Sequence, residues 1–234
     1  MSSSLAVVTP SYNDAPFLSE CVESVRVAAE RAGFQVEHAI VDDASTDGTP
    51  ALLASQSGLL TKRFPVNRGT SAALNAAVRL TTAPWLLVLA SDDAVTPDAF
   101  GDWRGAIAQH PTANVIYSDL ELFGARRGSY RVPPFESALM RERNILPGCS
   151  FLRRSVFDAV GGFDPAMRTA QDWDFWVRAD HVVGLVPRKL AMPAVRYRFH
   201  AAPRLHDESV RNIETIRRIV RGRTPSTAVL AGAP

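Results

Sequence analysis

Cysteine, lysine and long apolar runs are all scarce in this chain of 234 residues, and each scarcity excludes something. Cys21 and Cys149 are the only cysteines and form no C-x-x-C spacing. The spacing argues against a disulfide framework or a structural zinc site, and both thiols are expected in the core. No apolar run reaches the ~18–20 residues needed to cross a bilayer. The opening MSSSLAVVTPSYN has neither a basic n-region nor an apolar stretch long enough for a signal peptide. The expectation is a cytoplasmic protein, with at most peripheral contact with the inner face of a membrane. Nearly all the basic residues are arginine. A coding bias explains that first, and a preference for phosphate-matching guanidinium groups second. The net charge of +2 is too small to argue for nucleic acid. Hydrophobic residues at 46% and charged residues at 21% are ordinary for a soluble globular domain.

What is present is an alternation of short apolar runs with amphipathic stretches. Leu5–Thr9, Val36–Val41, Leu59–Phe64, Trp85–Leu89 and Asn114–Tyr117 read as strands. Leu18, Cys21, Val22, Val25 and Ala29 recur at helical spacing, with Asp14 placed to cap that helix. Thr46 or Asp47 is a plausible cap in STDGTP, and NRGTSAALNAAVRL reads as a glycine turn into a helix. Another helix follows Pro97. Strands alternating with helices of about ten residues point to β-α-β units and a largely parallel sheet. Further on, 118–134 is polar and punctuated by glycine and proline, as in a hairpin or mobile loop. Glu136–Arg143, Ser155–Val160 and Gln171–Asp180 read as helices, and Pro193–Phe199 as a last strand. Val210, Ile213, Arg217 and Val220 suggest a closing helix before a small, uncharged tail expected to be disordered.

Two acidic pairs stand where apolar strands run out: Asp42-Asp43 in HAIVDDASTDGT and Asp92-Asp93 in WLLVLASDDAV. Like charges so close resist ionising together, so such pairs are tolerated where a cation or a donor-rich ligand sits between them. In an open α/β sheet ligands bind at the carboxyl ends of the strands. The pairs thus mark a metal- and ligand-binding rim.

TPSYN, VDDASTDGT, NRGTSAALNAAV, SDD, GGFD and QDWDFWVR, in this order, resemble family 2 glycosyltransferases of the GT-A fold. The resemblance covers roughly residues 4–200. It implies an α/β GT-A domain over 1–222, with a nucleotide-sugar donor half at 1–118, an acceptor half at 119–222 and a tail at 223–234. It implies an inverting sugar transfer from a nucleoside-diphosphate sugar (UDP, dTDP or GDP type) to an acceptor hydroxyl. That acceptor would be a glycan, a lipid-linked molecule or a small molecule, in bacterial polysaccharide or glycoconjugate synthesis.

The resemblance also assigns roles. The donor nucleotide would lie against Thr9, Pro10, Tyr12, Asp42 and Asp43. An ionised Asp42 or Asp43 accepts a base N–H, and Tyr12 stacks on the base or ribose. Arg68, ahead of a helix N-terminus, would reach a phosphate. Asp93 would ligate a divalent metal, Mn²⁺ or Mg²⁺, with Asp92 on ribose or sharing the metal and His200 as a further ligand. Asp172 matches the general base. The chain departs from the family pattern at Ala90, where relatives often carry a further Asp, and at Gln171, which replaces a usual Glu. Asp47 and Asp174 read as structural, while Trp173 and Trp176 share a helix face and read first as core. Arg198 would neutralise diphosphate or lie exposed on its strand. Arg126, Arg127 and Arg131 form a basic cluster in the polar stretch, read first as solvated. Ala90 and Gln171 also keep open a GT-A-like binding domain without turnover. A nucleotidyltransferase would want a Gly-rich basic loop after the first strand, which PSYNDAP does not offer.

Overall fold

The computed structural model describes residues 4–201 and 213–222. Its elements, in chain order, are β1 (Leu5–Ser11), α1 (Ala15–Ala32), β2 (Val36–Asp42), α2 (Thr49–Ser55), β3 (Leu59–Arg63), α3 (Thr70–Arg79) and β4 (Trp85–Val88). There follow β5 (Ala94–Val95), α4 (Ala99–Gln109), β6 (Val115–Tyr117), β7 (Leu120–Gly124), β8 (Gly128–Tyr130) and α5 (Ser137–Glu142). The rest are β9 (Phe151–Arg153), α6 (Arg154–Val160), α7 (Gln171–Val183), β10 (Pro187–Lys189), β11 (Val195–Phe199) and α8 (Ile213–Gly222).

Seven strands form the main sheet in the order β10-β6-β9-β4-β1-β2-β3. All its pairs are parallel except those of β9, which runs antiparallel to both β4 and β6. Side chains alternate across a strand, so β1 feeds both faces. Ala6 and Val8 enter a core with α3, α6 and α7, while Leu5 and Val7 enter one with α1 and α4. Alanines on α3 (Ala72, Ala73, Ala76 and Ala77) let that helix sit close against the sheet. Because β1 and β2 are parallel and paired from Leu5–Val36 to Ser11–Asp42, their carboxyl ends finish level. The loops after β1, β2 and β4 thus meet along one edge.

A smaller sheet, ordered β5-β11-β7-β8, stands beside that edge. The polar 118–134 stretch is its hairpin, β7–β8. The main sheet draws on both halves of the chain, because β9 and β10 complete it. One expectation is corrected. The side chain of Asp14 caps nothing; it accepts the Ser91 hydroxyl at 2.6 Å, and Asp47 Oδ2 takes the Ala15 N–H at 3.1 Å instead. Sequence periodicity also missed β5, β9 and β10, each two or three residues long and too short to show alternation. Val210 and the 223–234 tail lie outside the described residues.

Trp173 and Trp176 are core, at 1% and 2% exposure, and Trp173 Nε1 donates to the Met140 carbonyl at 2.6 Å. Cys21 is buried and Cys149 half-buried, both as thiols. The GGFD turn is clasped to α3 by Asn75, which donates to Phe163 O (2.7 Å) and accepts from Phe163 N (2.9 Å). Arg178, paired with the buried Asp174, donates to the carbonyls of Val160 and Gly162.

Gly162 has φ +81°, and a Cβ there would stand 2.7 Å from Asn75 Oδ1 and 2.9 Å from Phe157. Gly162→Ala should therefore lower stability by about 2–3 kcal/mol, from left-handed strain plus a broken clasp. Chemical denaturation measures this, and a loss under about 0.5 kcal/mol, the range of an inert surface change, would show the turn to be adaptable.

Candidate active site at the carboxyl edge of the sheet

The loop after β2 is held by its own acids. Asp42 is 1% exposed; Oδ1 accepts the Ser45 N–H at 2.9 Å and Oδ2 faces Arg63 Nε at 3.1 Å. Asp43 is 3% exposed and accepts the backbone N–H groups of Arg68 (2.7 Å, Oδ1) and Gly69 (2.8 Å, Oδ2). The first acidic pair therefore fastens the loop to the start of α3, and both carboxylates are turned into the protein. Asn13 (φ 56°) and Ala44 (φ 65°) hold the same junction in left-handed conformations, with Asn13 Oδ1 accepting the Thr46 N–H at 2.8 Å. Asp47 Oδ1 takes the Thr49 N–H at 2.9 Å, the structural role expected of it.

Among the other nucleotide-side residues, Thr9 is fully buried, with its hydroxyl 3.1 Å from His38 Nε2. Its side chain is closed to a ligand. Pro10 is half-buried, and Tyr12 stands out at 48% exposure. Arg68 is exposed, its guanidinium 4.9 Å from the centre of the Phe64 ring. Thr9, Asp42 and Asp43 thus build a wall, and Tyr12 and Arg68 project from it.

The second acidic pair is divided by burial. Asp93 is 4% exposed and its Oδ1 accepts the Arg198 backbone N–H at 2.8 Å. Burial and the neighbouring Asp92 push its carboxyl well above the usual carboxylate range, against the pull of Arg198. Asp92 is the outward member, with Oδ2 2.7 Å from His200 Nε2. The edge of the Phe17 ring abuts the His200 imidazole, centroids 5.1 Å apart. Arg198 is not exposed, and most of its guanidinium is engaged within the protein. Its Nε donates to Asp92 O at 2.7 Å, its Nη2 pairs with Glu20, and its guanidinium lies 4.7 Å and 4.2 Å from the Phe17 and Phe123 ring centres.

The expected metal donors thus differ in burial, Asp93 being enclosed and Asp92 outward. Among the described residues no three His, Cys, Asp or Glu side chains converge on one point. One carboxylate and one imidazole in contact do fit a Mn²⁺ or Mg²⁺ that takes its remaining ligands from water or phosphate. Asp92 and His200 are in such contact, and Asp93 accepts the Arg198 backbone N–H beside them.

Asp172 opens α7, in its first turn. Asn144 Nδ2 donates to its Oδ2 at 2.8 Å, and a Cβ on Gly148 would come within 3.2 Å of its Cβ. The carboxylate is therefore fitted against the 144–149 loop. Tyr197 links the two acidic sites. Burial raises its phenol pKa, and the charges of Asp93, Asp92, Cys149 and Asp172 raise it further. One hydroxyl thus feels both the doublet after β4 and the carboxylate at the start of α7. Sequence reading missed Tyr197, although alternation in VRYRFH sets it on the face opposite Arg196 and Arg198. Nothing in the sequence signals Asn144.

A family model described as "Glycosyl transferase family 2" matches residues 6–161, and the chain belongs to that family: it is a glycosyltransferase. A "PGL/p-HBAD biosynthesis glycosyltransferase" of Mycobacterium bovis (strain BCG / Pasteur 1173P2) is 28% identical over 200 residues, covering 82% of this chain and 75% of that one. The "Succinoglycan biosynthesis protein ExoO" of Rhizobium meliloti is 30% identical over 185 residues, covering 71% and 52%. Among solved structures, S. aureus TarS 1-349 in complex with UDP-GlcNAc superposes with a TM-score of 0.75 at 17% identity, covering 97% of this chain and 70% of that one. Mannosyltransferase PcManGT from Pyrobaculum calidifontis, in complex with GDP-Man and Mn²⁺, gives 0.65 at 21% identity, covering 94% and 65%. These likenesses define the fold as GT-A. Among the described residues, no helix is long and apolar enough to cross a membrane.

The buried Thr9–His38 contact has a pH signature. Desolvation lowers the His38 pKa from an ordinary 6.5 to about 4. The folded state thus resists a proton that the unfolded chain accepts. His38 therefore costs no stability above pH 6.5 and up to roughly 3 kcal/mol as pH falls from 6.5 through 4. In His38→Gln the melting temperature should fall less over that window than in the native protein. Parallel curves would remove His38 as the source.

Proposed function

We propose that the chain moves a sugar from a nucleoside-diphosphate sugar to an acceptor hydroxyl, with inversion at the anomeric carbon. What supports this reading is that β9 pairs antiparallel with β4, Leu87 opposite Phe151, so the Gly148 turn packed on Asp172 leads in beside the end of β4 that the acidic doublet follows. In this reading the rim takes a cation and Asp172 takes a proton at the same edge of the sheet. The TarS structure was solved with UDP-GlcNAc and that of PcManGT with GDP-Man and Mn²⁺, so a UDP, dTDP or GDP sugar is the donor class taken here. The relatives' names, PGL/p-HBAD and succinoglycan biosynthesis, favour an acceptor in glycoconjugate or polysaccharide synthesis.

In this reading the base and ribose lie along Pro10 and the exposed ring of Tyr12. Asp43 serves them indirectly, by holding the Arg68–Gly69 backbone. The Arg68 guanidinium pairs with a donor phosphate. Asp92 and His200 are the metal ligands, and a Mn²⁺ or Mg²⁺ held there supplies Lewis-acid stabilisation of the leaving diphosphate. Asp172 takes the proton of the acceptor hydroxyl as that oxygen attacks from the face opposite the diphosphate. Asn144 keeps Oδ2 aimed, so the carboxylate need not be reoriented as the bond forms. Gln171, beside Asp172, adds no second negative charge to the base.

Asp172→Asn should reduce turnover by about 10²–10⁴-fold, the usual contribution of a general base, with nucleotide affinity nearly unchanged. Normal turnover by that variant, measured with a panel of donor sugars, would end the assignment. Donor binding has its own readout. A nucleotide sugar at 100 times its Kd stabilises the fold by about 2.7 kcal/mol, visible as a thermal shift. UDP-, dTDP- and GDP-sugars with Mn²⁺ should include one that shifts the melting temperature. Asp92→Asn and His200→Ala should each lose the Mn²⁺-dependent part of that shift. A Mn²⁺-dependent shift that survives both substitutions would place the cation elsewhere, and no shift with any donor would sink the donor-site reading.

A further inference from the structure

Outside the carboxylate edge, an unassigned cleft of about 430 Å³ lies between the β7–β8 hairpin and β11. Its wall includes Glu121, Phe123, Arg127, Arg196 and Arg198. The hairpin tip, GARRG, is docked and does not hang free. Gly124 has φ +88°, and a Cβ there would stand 2.7 Å from Phe199 O, so only glycine lets the tip press onto the end of β11. Ala125 N–H then donates to Phe199 O at 2.9 Å. The tip is thereby pinned one residue before His200. Arg126 lies with its guanidinium 5.6 Å from the Phe199 ring centre, and Arg127 lines the cleft.

The charges do not balance. Arg196 is shared between Glu20 and Glu121, and Arg198 pairs with Glu20. Among the described residues Arg126 and Arg127 have no carboxylate partner. The cleft wall itself holds three guanidinium groups, Arg127, Arg196 and Arg198, and one carboxylate, Glu121, with Arg126 beside it over the Phe199 ring; a concave surface concentrates that field. A guanidinium presents paired N–H donors matched to phosphate oxygens. Arg131, the third member of the cluster in the sequence, takes no part, because it pairs with Asp119 at 3.1 Å.

We propose that this cleft is an anion site for a phosphate monoester or diester carried by the acceptor. Its role as an acceptor site rests on the transferase reading above; its affinity for phosphate does not. Position supports the role. Arg198 forms part of the cleft wall, and its Nε donates to Asp92 O, so the cleft and the Asp92–His200 shelf share one side chain. A phosphate bound at the hairpin tip would tether its molecule beside the site of transfer. The phosphate has two sources: a soluble phosphorylated acceptor, or the headgroup of an anionic lipid.

The test uses the full chain, native and as Arg126→Ser/Arg127→Ser. These exposed side chains leave the backbone pairing of the hairpin intact. The probes are inorganic phosphate by calorimetry and phosphatidylglycerol vesicles by co-sedimentation, with phosphatidylcholine vesicles as control. The native chain should bind at least one anionic probe, and the double variant about tenfold or more weakly, as expected for losing charge-assisted hydrogen bonds. Phosphate binding lost in the variant supports the soluble source, and vesicle binding alone lost in the variant supports the headgroup. Equal binding by both proteins, or no binding to either probe, overturns the proposal. Nucleotide affinity with Mn²⁺, measured on the same pair, should not change. A parallel loss there assigns the cleft to the donor and overturns it too. A native chain that binds phosphate but no nucleotide would instead count against the donor reading alone.

Discussion

The site depends on one hydrogen bond, the Arg198 backbone N–H given to Asp93 Oδ1 at 2.8 Å across 105 residues of sequence. It ties the last strand of the smaller sheet to the loop that leaves β4. Together with the pairing of β11 on β5, it brings His200 to Asp92 and sets Tyr197 against the acidic doublet. A buried carboxylate is costly, and Asp93 is raised well above its usual range because of it. The fold tolerates that cost where the carboxylate fixes the geometry of the pair above it. The Arg198 side chain repeats the tie, reaching Asp92 O with one nitrogen and Glu20 of α1 with another. Three elements distant in sequence are thus fastened beneath a two-residue shelf.

The two acidic pairs accordingly do unlike work. Asp42 and Asp43 are internal caps, satisfying backbone N–H groups at the start of α3 and in the loop after β2. A carboxylate is well suited to that, since it accepts from several donors at once and favours a helix N-terminus. Asp92 and Asp93 are an outer and an inner member of one assembly. Alternating exposure along a short loop makes the division: the outer carboxylate meets His200, and the inner one meets backbone. The third acid, Asp172, is held differently again, by one Asn144 donor and by the close approach of Gly148.

Much of the fold was legible because its main strands are apolar and separated by helices with clear periodicity. The parallel sheet, the helices on its faces and the acidic strand ends follow from that pattern. The short strands did not, because two or three residues carry no readable alternation. The antiparallel insertion of β9 depends on packing between β4 and β6, which no local pattern encodes. The site shows the same division. Asp172, Asp92 and His200 stood out as candidates from ordered motifs, whereas the inward turn of Asp43 and Asp93, the burial of Thr9 and the bracing of Arg198 did not.

The sequence by itself determined which residue types stand at the ends of the strands, and with them the family and the kind of chemistry available. Those features are local, set by apolar runs, turn residues and the order of short motifs. Only the tertiary structure decided which carboxylates face outward, which ring and guanidinium support them, and that a basic hairpin tip docks beside His200. Burial and hydrogen-bond partners are properties of surfaces brought together from far apart in the chain. Whether Asp92 or Asp93 is the open acid depends on where β11 returns, and that is settled by packing a hundred residues away.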